Sequence, residues 1–197
     1  MKKLAVLLSL APALALAAPT TWSVDPSHSQ VGFAVKHLVI SNVRGEFGAY
    51  QGKVVLDEAD VTKSSVAATL DVNSLNTKVA DRDAHLKSAD FFDVAKYPSI
   101  TFKSTKVAKA GPDRLQVTGE LTLHGVTKPV VLDVTTSPEV KGMFGETRRA
   151  FAATTRIQRK DYGTVPPKVD YRLTPMGKSF VPVIDAIRKW GHRHLQA

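Results

Sequence analysis

The sequence predicts an all-β domain, an antiparallel barrel or sandwich, and three observations carry that expectation. Apolar residues recur with period two over most of residues 22–160. Turn residues interrupt these runs at short intervals, and few stretches hold a helical repeat long enough to alternate with the strands.

Taken in order, Val31, Phe33 and Val35 alternate with Gly32, Ala34 and Lys36. The segment from Val43 to Leu56 reads as a long bent strand or a hairpin, because Gly45, Gly48 and Gly52 allow bulges or tight turns. Val66, Ala68, Leu70 and Val72 follow, then Ile100 and Phe102, then Leu115, Val117, Leu121 and Leu123. Val130, Leu132 and Val134 come next, and Phe151, Ala153, Thr155 and Ile157 after them. Asp25-Pro26, Asp57 to Asp60, Ala110 to Asp113, His124-Gly125 and Lys141-Gly142 mark the turns between about seven strands. Asp81 to Phe92 breaks the pattern. Ala84, Leu86, Ala89 and Phe92 sit at mixed helical spacing among charges, and Pro98 closes a short helix or irregular excursion.

The first 17 residues have the pattern of an export signal: Lys2 and Lys3, an apolar run from Leu4 to Leu16, and the small-x-small triplet Ala15-Leu16-Ala17. That places the mature chain at Ala18 onward, in the periplasm. The apolar run is shorter than the roughly 20 residues a membrane-spanning helix needs, so no transmembrane segment is expected. The sequence has no cysteine, which excludes disulfides and thiolate metal sites. Without Lys2 and Lys3 the formal charge falls from +9 to +7. The basic residues are scattered rather than blocked, the pattern of a solvated surface and not of a nucleic-acid site.

Nothing in the sequence makes a positive case for an enzyme. His28, His37, His85, His124, His192 and His194 show no metal-ligand spacing, so no metal is expected. There is no G-x-S-x-G elbow and no phosphate-cradling glycine loop, so no catalytic residue and no cofactor are assigned. Asp81, Asp83, Asp90 and Asp93 read as an ion-pair cluster with Arg82 and Lys87 rather than as an acid/base pair. The alternating runs are rich in aromatic residues: Phe33, Phe47, Tyr50, Phe91, Phe92, Phe102 and Phe151. In a sandwich these fill a solid core; in a barrel of about eight strands the lumen can hold one ligand. Periodicity leaves both open, and small residues such as Ala68, Ala153 and Thr155 lean toward an open interior.

A series of motifs resembles the YceI family of periplasmic, lipocalin-like proteins. In order they are Trp22-Ser-Val-Asp25-Pro-Ser-His28-Ser29, Phe33-Ala-Val-Lys36-His37 and Val43-Arg44-Gly45-Glu-Phe47. The dense block from Arg82 to Asp93 comes next, with Tyr97-Pro98-Ser-Ile100-Thr-Phe102, Gly119 to Pro129 and Ile157 to Gly163. The resemblance implies an eight-stranded antiparallel barrel over residues 18–163, whose lumen takes a polyisoprenoid or similar long-chain lipid without catalysis. Candidates for the lumen wall are Phe33, Val35, Phe47, Val66, Ala68, Leu70, Ile100, Phe102, Val117, Leu121, Val130, Leu132, Phe151 and Ala153. The His and Asp residues of the dense block are expected to clasp the excursion to the barrel wall. A filled-core structural or stress-related interaction module with a basic surface is the alternative.

Residues 164–197 depart from that pattern. Val169, Tyr171 and Leu173 alternate as a short strand, and Thr174-Pro175 opens a helix with Phe180, Val183, Ile184 and Ile187 on one face and Pro182 as a break. This run resembles the C-terminal end of HxlR-type winged-helix regulators, through a fusion or through chance. The DNA-reading helix of such a domain is missing, so no nucleic-acid binding is expected. Either residues 168–174 serve as the eighth strand and an added C-terminal helix comes after it, or the edge strands are left to pair with another chain, as in a homodimer.

Overall fold

The structure is a computed structural model that describes residues 18–37 and 41–163, together with Pro182 and Asp185. The expected export signal at 1–17 and nearly all of the tail lie outside the described residues; Pro182 and Asp185 are both helical. By compactness the chain divides into Met1–Pro166 and Pro167–Ala197, and every described strand lies in the first unit.

The described chain is mostly β-structure: β1 (Thr20–Ser23), β2 (Val31–His37), β3 (Ser41–Phe47), β4 (Tyr50–Leu56), β5 (Ser65–Asp71) and β6 (Leu75–Asn76). The helix α1 (Ala80–Lys87) precedes β7 (Ser99–Gly111), β8 (Arg114–Leu123), β9 (Val126–Thr136), β10 (Val140–Lys141), β11 (Thr147–Arg148) and β12 (Phe151–Thr154). One long, curled antiparallel sheet takes seven strands in the order β1-β4-β5-β7-β8-β9-β12. A second sheet holds β2-β3-β6, and β10-β11 form a separate hairpin.

The expected single barrel of eight strands is therefore corrected for the described residues: seven strands form the main sheet and three more lie in a second one. The reason lies at two corners. β3 does not fold back on β4 but bends into it through Gly48-Ala49, passing from the small sheet to the large one. β5 returns to the small sheet as β6 through a 3₁₀ turn at Val72–Ser74, capped by the Asp71 carboxylate accepting from the Asn73 N–H. The corners bond to each other, Gly48 N–H to Ser74 C=O at 3.2 Å and Asp71 N–H to Ala49 C=O at 2.9 Å. These bonds satisfy backbone groups that the change of sheet would otherwise leave unpaired.

All five turn signals fall at strand ends or between strands, with Ala110-Gly111 closing β7 and Lys141 closing β10. At His124-Gly125 both residues have positive φ (52° and 72°), which suits the two-residue turn joining β8 to β9. The last alternating run is shorter than expected, since β12 ends at Thr154 and Ile157 lies beyond it, partly exposed.

Two apolar clusters form the core. Cluster one gathers Phe47, Val72, Leu75, Ile100, Leu123 and Tyr162, with Phe33, Leu70, Leu86, Phe92 and Leu121 against it. It joins the two sheets at the end of the large sheet where β8 turns into β9. Cluster two gathers Phe102, Val107, Leu115, Val117 and Val134, with Val61, Val66, Leu121, Val130, Leu132 and Phe151 against it, toward the opposite end.

Candidate functional site

Register decides which side chains share a face, because direct cross-strand partners project to the same side of a sheet. Ala68 lies opposite Phe102 and Leu70 opposite Ile100. Phe102 is opposite Leu121, Val117 opposite Leu132 and Gly119 opposite Val130. Val134 faces Ala153, and Thr136 faces Phe151. With Val66 two residues before Ala68, the eleven candidates on the large sheet share one face. Phe33, Val35 and Phe47 share a face of the small sheet, since Phe33 pairs with Gly45 and Val35 with Val43.

The structure brings most of these residues together but not all. Phe47 and Ile100 are core members of cluster one, and Phe102 and Val117 of cluster two. Leu121 touches both clusters and makes the apolar face continuous along the sheet. Val35, Ala68 and Ala153 belong to neither, and Ala153 is exposed.

Val107 is the inner-face residue that periodicity misses, although it is only 1% exposed. The pairing of β7 with β8 slips between Ser104 and Lys106, so an extra residue sits on β7. Beyond that bulge the inward positions change from even to odd. Val134, Leu115 and Leu123 were legible as alternating residues and are buried here as well.

Part of the interior is filled by protein. A Cβ at Gly119 would meet the Phe102 ring at 2.5 Å, and a Cβ at Gly45 would meet the Phe33 ring at 2.4 Å. Two phenylalanine rings thus lie across glycines of neighbouring strands. An open cleft of about 900 Å³ lies at the edge of β9, lined by Pro129, Val130, Val131, Thr154, Thr155 and Arg156 among others. It forms where β12, which pairs only with Asp133 to Thr136, leaves the rest of β9 behind.

Among the described residues, two buried side-chain polar atoms have no hydrogen-bond partner, Trp22 Nε1 and His124 Nε2. Trp22 pairs with Val54 and so lies on the inner face of the large sheet. His124 Nδ1 is 3.2 Å from the Tyr162 carbonyl oxygen, which assigns the proton to Nδ1 and leaves Nε2 as an acceptor. Its ring packs on Tyr97 at 4.6 Å between centroids.

The dense block at 82–93 acts as a clasp. Asp83 accepts from the Thr77 N–H at 2.8 Å and from the Thr77 hydroxyl. Arg82 donates to the Thr77 hydroxyl at 2.7 Å and to its carbonyl at 2.8 Å. Thr77 is buried just after β6, so these bonds tie α1 to the small sheet. The Thr77 hydroxyl, ahead of the nearby cations, holds the Asp83 carboxyl below its ordinary value. His85 and Asp90 form an exposed pair at 3.4 Å. Among the described residues no three His, Asp or Glu side chains converge on a point that could hold a metal. None of their helices is long and apolar enough to cross a membrane.

The described residues thus form an antiparallel β-fold with a continuous apolar inner face that its own rings fill in part. The profile of the YceI-like domain matches residues 22–186. A UPF0312 protein of Vibrio cholerae serotype O1 is 40% identical over 160 residues, covering 81% of this chain and 84% of that protein. Among solved structures, Burkholderia cenocepacia BcnA superposes with a TM-score of 0.66 at 26% identity, covering 80% of this chain and 89% of that one. The YceI protein of Campylobacter jejuni gives 0.60 at 36% identity, covering 73% and 84%. The chain belongs to the YceI-like family. Because the family match runs on to residue 186, the expected end of the family pattern at Gly163 is corrected, and the likeness of the tail to winged-helix regulators has no support.

Proposed function

We propose that the chain is an exported periplasmic binding protein that holds a polyisoprenoid or other long-chain apolar lipid against its inner face, without catalysis. The observation that carries this reading is the placement of eleven apolar candidates on one face of the large sheet, continuous through Leu121. The residues proposed to touch the ligand are those of the two clusters' inner face, with Phe33, Val35 and Phe47 from the small sheet. Trp22 Nε1 is available as a donor to a polar end group, and His124 Nε2 as an acceptor.

The energetics suit a carrier. Each buried CH₂ contributes about 0.8 kcal/mol relative to water, but the ligand's alternative is a membrane, and ordering the chain opposes binding. The net preference is then small enough to permit release. Solvent extraction of the purified protein followed by mass spectrometry tests the reading: a series of isoprenoid or long-chain lipids is expected at near-stoichiometric yield.

The filled-core reading has its own support in the Phe102 ring lying across Gly119 and in Val107 and Val117, both buried to within 2% exposure. Repeated extraction of no lipid, from protein made in a host with intact membranes, would leave that reading standing and remove the first.

A further inference from the structure

Between β9 and β12 the chain leaves the large sheet as the β10–β11 hairpin, in which Val140 pairs with Arg148 and Lys141 with Thr147. Its tip reads Gly142-Met143-Phe144-Gly145. Met143 is 95% exposed and Phe144 93%, with Val140 at 58% behind them. Single exposed apolar residues are ordinary, but two adjacent large ones on a projecting tip leave almost their whole surface in water and contribute nothing to the core.

The backbone of the tip is already satisfied at three N–H groups. The Gly142 N–H donates to the Glu146 carbonyl at 2.8 Å, and the Gly145 N–H to the Gly142 carbonyl at 3.1 Å. The Phe144 N–H donates to the Glu146 carboxylate at 3.0 Å. Such pairing is what a segment needs on entering an apolar phase, where an unpaired N–H cannot turn to water. Gly145 has φ +83°, a conformation that glycine adopts without strain and that closes this turn.

Most charge at the hairpin is paired. Glu146 is taken by Arg148 Nε at 2.9 Å, and Glu139 lies 3.9 Å from Arg149, which also pairs with Glu58. Arg148 and Arg149 are thus each shared between two carboxylates, whereas Lys141 has no carboxylate partner among the described residues. The base is fixed as well: Arg148 reaches Asp25 at 3.3 Å, and Arg149 donates to the Ser137 carbonyl at 2.8 Å. Both arginines hold the hairpin against the body of the protein, so the tip stays presented.

We propose that the β10–β11 hairpin is a membrane-contacting finger, whose Met143–Phe144 tip enters the outer apolar layer of an anionic bilayer while Lys141 meets the headgroups. A lipid surface is the occupant that fits: a convex two-residue tip needs no matching pocket in a fluid apolar phase, and the net-positive chain is drawn to anionic headgroups. The inference does not depend on the inner face holding a ligand, since a filled-core protein with this tip would bind the same surface.

Flotation of the purified full-length protein with vesicles of phosphatidylethanolamine and phosphatidylglycerol (about 3:1 by mole, an anionic surface) tests it, with pure phosphatidylcholine vesicles alongside. The wild type should float with the anionic vesicles and more weakly with the neutral ones. Met143→Ser/Phe144→Ser should lower its partition coefficient roughly tenfold or more, with an unchanged melting temperature because both side chains are exposed. Phe144→Trp should show a blue-shifted emission on adding the anionic vesicles. The proposal is overturned by a wild type that stays unbound, or by a double variant that floats equally well. A tip-dependent dimer in sedimentation velocity, without flotation, would make a second copy the occupant and overturn it too. Lipid extraction bears only on the inner face, so the two proposals fail separately.

Discussion

At the end of the large sheet where β8 turns into β9, cluster one is sealed by more than apolar contact. Phe47 packs between Phe33 and Phe92, with ring centroids at 5.8 Å and 6.4 Å. The helix α1 is bonded over it through Thr77, Arg82 and Asp83. At the opposite end, Phe151 of cluster two is only half-buried, and the elements nearby are held by the exposed Arg148–Asp25 pair and by Arg149, which is largely buried and reaches Glu58 and the Ser137 carbonyl. Aromatic packing and four part-buried hydrogen bonds to Thr77 hold the first end. Among the described residues the second end lacks such aromatic packing, and its exposed Arg148 pair, screened by salt, adds less stability than the clasp does. For the proposed lipid, the contrast would put entry and exit at the cluster-two end, next to the exposed hairpin.

The sharpest way to break this contrast is truncation of one phenylalanine at each end. Phe47→Ala, at 6% exposure and flanked by two rings, should lower unfolding stability by about 3–5 kcal/mol. Phe151→Ala should lose about half of that or less, since the half-buried ring has less transfer energy to forfeit. Urea unfolding monitored by circular dichroism measures both. Equal losses would mean that the two ends are equally built.

The polar clasp should rank next. Thr77→Ala removes the hydroxyl that donates to Asp83 and accepts from Arg82, and about 1.5–3 kcal/mol of stability should go with it. Its pH signature has a definite sign. The Asp83 carboxyl sits below 3.8 in the folded state, chiefly through the Thr77 hydroxyl, so its contribution is present above the unfolded value. That contribution is lost as the pH falls through the depressed folded value. The wild type should therefore lose stability on acidification below about pH 4 more steeply than Thr77→Ala. Parallel acid limbs would show that the clasp does not set acid stability at the first end.

How much of the fold and site was legible beforehand depends on which physical signal each residue carries. The face shared by Val66, Ala68 and Leu70 could be read from sequence because period two is a local property. Val107 could not be read this way: the bulge that turns it inward leaves no glycine or proline near Thr105 to announce it. The sheet changes at Gly48 and Val72 were half legible. Glycine signalled a bend, but whether β3 folds back on β4 or passes to another sheet is decided by pairing with Ser74, far along the chain. The clasp role of the dense block was implied by the family resemblance, its charge pattern having suggested only an ion-pair cluster, and its focus, Thr77, lies outside the motif and carried no signal of its own. The apolar tip at Met143-Phe144 was visible as residues but not as exposure. Nothing local says that a two-residue apolar pair faces water until the strands around it are placed.

The smallest effect concerns the tie between the hairpin and the chain after β1. Asp25 caps the 3₁₀ turn at Pro26–His28 and takes the Arg148 guanidinium at 3.3 Å. Hydrogen bonds from the Ser27 hydroxyl, then the His28 ring and the Ser27 N–H, pull its carboxyl from 3.8 to about 2. A depressed carboxylate stabilises the fold above its unfolded value, so the tie is intact at neutral pH and is lost between about pH 4 and pH 2. Because the Ser27 hydroxyl is the leading cause, Ser27→Ala should raise the Asp25 midpoint toward 3.8, while Arg148→Ala should move it less. A carbon-detected NMR titration of the Asp25 carboxyl reads both. The opposite ranking would place control of Asp25 in the long-range ion pair rather than in its own turn. The cluster-two end would then be held by the hairpin more firmly than the surface exposure of these pairs implies.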